Sequence, residues 1–164
     1  SSAASDVYKR QELTRSDTAR ARGIDNTPLV EHRRNLIDMV DELIDPLRER
    51  WAVVCADERL GSPQLRVTSG YRSQALNEAV GGAATSAHLF GYALDLVPVN
   101  GAMRRFKEVC RDFLKGRKFD QMISEEEDAS GTPAWVHVGY RNAAGRQRRQ
   151  FLSMRGGTYI PMTA

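Results

Sequence analysis

The sequence is poor in the features that mark several kinds of protein. Its 164 residues hold two cysteines, which make at most one disulfide, so this is not a disulfide scaffold. No apolar run approaches the roughly 18 residues needed to cross a bilayer. No apolar, signal-like stretch stands at the N-terminus; Ser1 to Asp6 read as a mature end or as an appended remnant, either of which leaves an upstream export signal open. Internal repeats and low-complexity linkers are absent. Charge of one sign is scarcely in excess: 24 Lys plus Arg against 21 Asp plus Glu leave a net +3. That is too mild to argue for nucleic acid, which calls for a clustered basic face. Histidine is scarce, and the three present, His32, His88 and His137, confine any imidazole chemistry to three positions.

What remains is a globular composition, 41% hydrophobic, in a length that suits one domain of about 100–150 residues or slightly more. Residues 1–26 are polar with little periodicity and read as an extended surface segment; 27–164 read as a single domain. Thr27 and Pro28 make a helix start, and Leu36, Met39, Val40, Leu43 and Leu47 follow as an apolar stripe, with Pro46 expected to kink or break the helix. A continuation through Trp51, Val54, Cys55 and Leu60 extends it. Residues 65–69 alternate as a strand, Ser73 caps a short helix running to Val80, and 92–99 form a second strand. Residues 101–114 repeat apolar positions at helical spacing, and 119–125 and 135–140 supply two more strands. Helices first, then strands with one inserted helix, favour α+β over a doubly wound sheet. Cys55 and Cys110 sit in apolar helical patterns and read as buried free thiols. Arg141, Arg146, Arg148 and Arg149 crowd one stretch. A solvated loop is the preferred reading, contact with an anionic polymer the other.

Chemistry concentrates in two places. His88 lies in SAHLFGYALD, residues 86–95, which ends on Asp95; His137 lies in WVHVGY, residues 135–140. Alternation puts Asp95 and His137 each on one face of its strand. If those strands pair, the two histidines and the aspartate converge. Two imidazoles and a carboxylate leave a fourth position free, as in catalytic rather than structural zinc. Spacing alone equally admits packed or surface histidines. Asp95 in an apolar strand is the odder residue, because burying an unpaired carboxylate is costly and a metal removes the cost. His32 carries no role in this reading.

SGYRS (69–73), SAHLFGYALD (86–95), FDQMISE (119–125) and WVHVGY (135–140), in this order and spacing, resemble the zinc D-Ala-D-Ala carboxypeptidase family of the hedgehog/DD-peptidase superfamily, nearest its compact phage-like and bacterial branch. ELTRSDTARARGIDNTP (12–28) is similar to the opening of that branch. The resemblance implies a small antiparallel sheet carrying a zinc site, flanked by helices. It implies one zinc per chain, held by His88, Asp95 and His137. Arg72 then contacts substrate and stabilises an oxyanion, Ser86 lines the pocket, and Gly91 lets the backbone bend between the first two ligands. It also implies peptidoglycan stem peptides as substrate, cut at D-Ala-D-Ala or else at L-Ala-D-Glu. A monomer in a bacterial envelope, in the extracellular space, or encoded by a phage is the expected setting.

Two positions depart from the family pattern. Many members carry Asp or Glu three residues before the second zinc histidine as general base; here that residue is Ala134. Glu125 is the expected substitute from an adjacent strand. An acid of the 126–128 run could swing in instead, although a solvated loop is preferred for Glu126, Glu127 and Asp128. The third alternative is a zinc domain that binds without catalysis. A structural part of a phage tail or envelope assembly is a further reading. Gly139 stands where Ser is common, which reshapes the pocket but spares the metal.

Overall fold

The apolar stripe of the first long helix closes one face of a sheet, and the architecture follows from that. A computed structural model describes residues 11–163; Ser1 to Asp6 lie outside them. Helix α1 (Asp17–Arg22), capped by Ser16, falls inside the segment read as extended. Helix α2 (Val30–Met39) runs through a π-helical turn (Val40–Ile44) into α3 (Asp45–Glu58). The chain continues as β1 (Leu65–Ser69), α4 (Gln74–Ala79), a 3-10 turn (Ala87–Phe90), β2 (Ala93–Pro98), α5 (Met103–Leu114), β3 (Gln121–Glu125) and β4 (Trp135–Gly139). Two further strands, β5 (Gln150–Arg155) and β6 (Thr158–Pro161), complete it.

The fold is α+β, with six strands in the order β1-β2-β4-β3-β5-β6. Every pairing is antiparallel except β3 with β5. Leu94 and Leu96 of β2, Val136 and Val138 of β4 and Met122 of β3 face the helices. There they meet Leu36, Met39, Leu43, Leu47, Trp51 and Phe106 in one core. Burial of each such side chain is worth about 1.5–3 kcal/mol. Cys55 and Cys110 are free and buried in this core.

Two local expectations are corrected. The first long helix starts one turn-step later than Thr27 and Pro28, with Leu29 at its N-cap, because the Asp25 carboxylate takes the Thr27 N–H in a turn. Pro46 does not break the helix: the preceding π turn resets the hydrogen-bond ladder, so proline falls in the first turn of α3, where its missing donor costs nothing. The arginine run after Tyr140 is loop as expected through Arg149, and two strands not read in the sequence, β5 and β6, follow it.

The polar opening braces the site. Asn26 donates to the carbonyls of Thr14 and Tyr71 and accepts from Ser73 N–H at 2.7 Å. Tyr71 N–H donates to Leu13 O at 2.8 Å. Leu13 is itself part of the core.

Candidate metal centre and cleft

On the face of the sheet away from the helices, alternation exposes Asp95 of β2, His137 of β4, Ile123 and Glu125 of β3, Leu152 and Met154 of β5, and Tyr159 of β6. All of these line one cleft of about 550 Å³. Asp95 lies directly across from His137 in the β2–β4 register. His88 reaches the same point from the 3-10 turn, whose first N–H groups are capped by Ser86: its hydroxyl accepts from His88 N–H at 3.3 Å. Gly91 ends that turn with φ +76°. A Cβ there would meet the His32 carbonyl at 2.5 Å, so both conformation and space require glycine.

His88, Asp95 and His137 each offer one ligand atom, all within 4.8 Å of one another. The protonation pattern shows that they fit a cation. His88 Nδ1 lies 2.7 Å from Gly70 O, a carbonyl that can only accept, so Nδ1 carries the proton and neutral Nε2 is a lone pair. That lone pair faces Asp95 Oδ1 at 3.4 Å. Burial lowers the His88 pKa, against the pull of Asp95, so a proton is disfavoured between the two acceptors. His137 Nδ1 also lies against Asp95 Oδ1, at 3.0 Å. Burial alone would raise the Asp95 carboxyl, but positive charge at His88 and His137, where a protonated imidazole or a cation supplies it, holds it below the ordinary carboxylate range. A dication accepting all three donors resolves the arrangement, and nitrogen and oxygen donors of this kind suit zinc.

Arg72 flanks the cluster. Its N–H donates to His88 O at 3.0 Å, which locks the SGYRS loop to the 3-10 turn. Its Nη1 donates to Asn77 Oδ1 at 3.1 Å, and Asn77 Nδ2 donates to Ala83 O at 3.0 Å. A Cβ at Gly82 would strike Asn77 Oδ1 and come within 2.6 Å of Arg72 Nη1. Burial lowers the Arg72 pKa, opposed by Asp95. Its buried Nε has no protein partner among the described residues. Asn77 and Gly82 were missed in the sequence; their signal was the Asn four residues after Ser73, inside the short helix, and the Gly81-Gly82 pair that follows it.

Glu125 is buried on the cleft, and burial pushes its carboxyl up to about 7, partly offset by His137. Ala134 N–H donates to Glu125 O at 2.9 Å, so Glu125 is the neighbour across the strands of Ala134, the position at which the family resemblance led one to expect an acid. Glu126 is exposed, and the other two acids of the run are occupied elsewhere. Glu127 is not solvated: its side chain is 1% exposed and holds Lys107 and Arg155, with Ser153 Oγ donating at 2.9 Å. Asp128 accepts from Ser130 and Thr132 within its own turn. Gly139 lies 3.5 Å, at its would-be Cβ, from His137 Nε2.

A two-histidine, one-carboxylate cluster at the floor of an open cleft, with an arginine and a buried glutamate beside it, could hold one metal ion, and such donors suit a zinc site that serves hydrolysis. The family model described as Peptidase M15 matches residues 6–139, and the chain belongs to that family of zinc peptidases. The resemblance carried by the four motifs is confirmed at this level. No curated protein matches the chain. Among the described residues, no helix is long and apolar enough to cross a membrane.

Proposed function

We propose that the chain is a zinc metallopeptidase that hydrolyses peptidoglycan stem peptides, at the D-Ala-D-Ala bond as a carboxypeptidase or else at L-Ala-D-Glu as an endopeptidase. The observation that carries this reading is the His88 lone pair turned on the Asp95 carboxylate by the Gly70 carbonyl, beside an arginine aimed by Asn77. His88, Asp95 and His137 would hold one zinc. Zinc, when bound, polarises the scissile carbonyl and lowers the pKa of water towards 7.

The chain's own groups do the rest. Arg72, fixed by Asn77, presents guanidinium N–H groups to the carbonyl or carboxylate oxygen and stabilises negative charge as it develops. Ser86 holds the turn that aims His88 and lines the same cleft. Glu125 takes the proton from the attacking water and returns it to the leaving amine. The peptidase unit is residues 27–164, with the preceding segment packed on it through Leu13 and Asn26. An envelope or extracellular setting, or a phage origin, suits such a substrate.

A non-catalytic zinc domain is the second reading, favoured by Ala134 alone. Mass spectrometry of a purified stem pentapeptide after incubation with the zinc-loaded protein separates them. Loss of one terminal alanine identifies the carboxypeptidase and a cut after the first L-Ala the endopeptidase. Intact peptide with zinc bound supports the binding domain.

A further inference from the structure

Arg148 stands apart from the other arginines of its run. Arg141 lies over the Tyr140 ring and donates to Gly145 O, and Arg149 donates to Arg117 O. Arg148 lines the cleft together with Gln121 and Asn142. It is fixed there by Asp120, whose side chain is 2% exposed. Nε donates to Oδ1 at 2.8 Å and Nη2 to Oδ2 at 2.9 Å, and the Arg148 backbone N–H adds a bond to Oδ1 at 3.2 Å. This two-point grip uses two of the five guanidinium N–H groups. The others have no acceptor among the described residues.

The sheet order sets where this fork sits. Arg72 follows β1, the edge strand; Arg148 precedes β5 and is gripped by the residue before β3. His88, Asp95, His137 and Glu125 lie between. A peptide whose carbonyl is at the metal cluster and Arg72 therefore extends over β3 towards Arg148. A guanidinium already held planar loses little freedom when a second carboxylate docks on its open edge. Asp120 cancels much of its long-range field, so recognition is by short, paired hydrogen bonds rather than by net charge.

We infer that Arg148 is a specificity-determining residue that anchors a second, non-terminal carboxylate of the substrate. The inference deepens the peptidase reading and rests on it: the preferred substrates are peptides whose internal acidic groups are free acids rather than amides.

The test uses two stem pentapeptides, one with every non-terminal carboxylate free, the other with each as a primary amide. For the zinc-loaded protein, kcat/KM and calorimetric Kd are measured with both, at low salt. The expected result is a preference of about tenfold or more for the acid in the wild type. That ratio should fall below about twofold in Arg148→Gln. The ratio is the readout because a general loss of structure lowers both rates together and leaves it unchanged. No preference in the wild type, or the wild-type ratio persisting in Arg148→Gln, overturns the inference. Should that variant fail to fold, Arg148→Lys carries the test, because it keeps a cation beside Asp120 but no fork. Its ratio should fall about threefold or more, and an unchanged ratio overturns the inference. If neither peptide is cleaved, the peptidase reading fails, and the binding data still decide the anchor. Tighter acid binding sustains it; equal affinity, or no binding of either peptide, overturns it.

Discussion

Replacing Glu125 by Gln keeps size and hydrogen-bonding capacity and removes only the proton-accepting function. Ile123 lies directly across from His137, and Glu125 is two residues further along the same face. Diagonal neighbours on a sheet have Cβ atoms about 7–8 Å apart, a gap that an extended carboxylate bridges through one water. A positioned general base contributes about 10²–10⁴-fold, so Glu125→Gln should lower kcat by at least about 100-fold, with KM and zinc affinity little changed. The pH profile gives a second reading. The base works only when ionised, so activity should fall as pH drops through its pKa. Burial, partly offset by His137, sets that near 7, and a dication nearby moves it lower; the acidic limb should therefore lie at or below about pH 7. In metal-stripped protein the sign reverses for stability. The folded pKa of about 7 exceeds the unfolded value of about 4.3, so the contribution present at low pH is lost as pH rises through that window. Glu125→Gln should not show that loss. Steady-state kinetics on a stem pentapeptide and chemical denaturation across pH check both. A variant retaining more than about a third of wild-type kcat refutes Glu125 as base.

Asn77→Ala removes the acceptor that aims Arg72. A charge-assisted bond of about 1.5–3 kcal/mol predicts a loss of roughly ten- to hundredfold in kcat/KM, measured by steady-state kinetics. Gly91→Ala imposes a left-handed conformation costing about 1–2 kcal/mol and a clash with the His32 carbonyl. A melting temperature lower by about 4 °C or more and weaker zinc binding should follow, measured by calorimetry. Lys107→Met leaves buried Glu127 with only part of its partners and should cost about 3 kcal/mol in urea denaturation. Burial would raise the Glu127 carboxyl, yet Lys107, Arg155 and their neighbours hold it down to about 2. The stability it gives is full above about pH 4.3 and should be lost as pH falls through about 2.

The elements with strong local signals were legible. β1 falls at 65–69 as read, and Ser73 caps α4 through Leu76 N–H. The convergence of His88, Asp95 and His137 was legible because strand alternation and one pairing suffice to bring them together. What escaped depends on partners distant in sequence. β5 follows directly on a run of arginines that is loop, with no local signal of its own; it forms because Gln150 N–H finds Asp120 O, and β3 offers a parallel edge. Glu127 sits in an acidic stretch that reads as solvated, and only Lys107, twenty positions away, and Arg155 make it a buried ion pair. Asn26 looks like a turn residue and proves to be the clasp between the N-terminal segment and the SGYRS loop.

The account stands on one cation at His88, Asp95 and His137 driving peptide hydrolysis. Metal-stripped protein titrated with zinc, with release of product from the stem pentapeptide followed at each addition, tests it most directly. The account predicts no hydrolysis before zinc, a linear rise, and saturation at about one equivalent per chain. Full zinc uptake with the peptide intact would contradict it, as would hydrolysis that needs no metal.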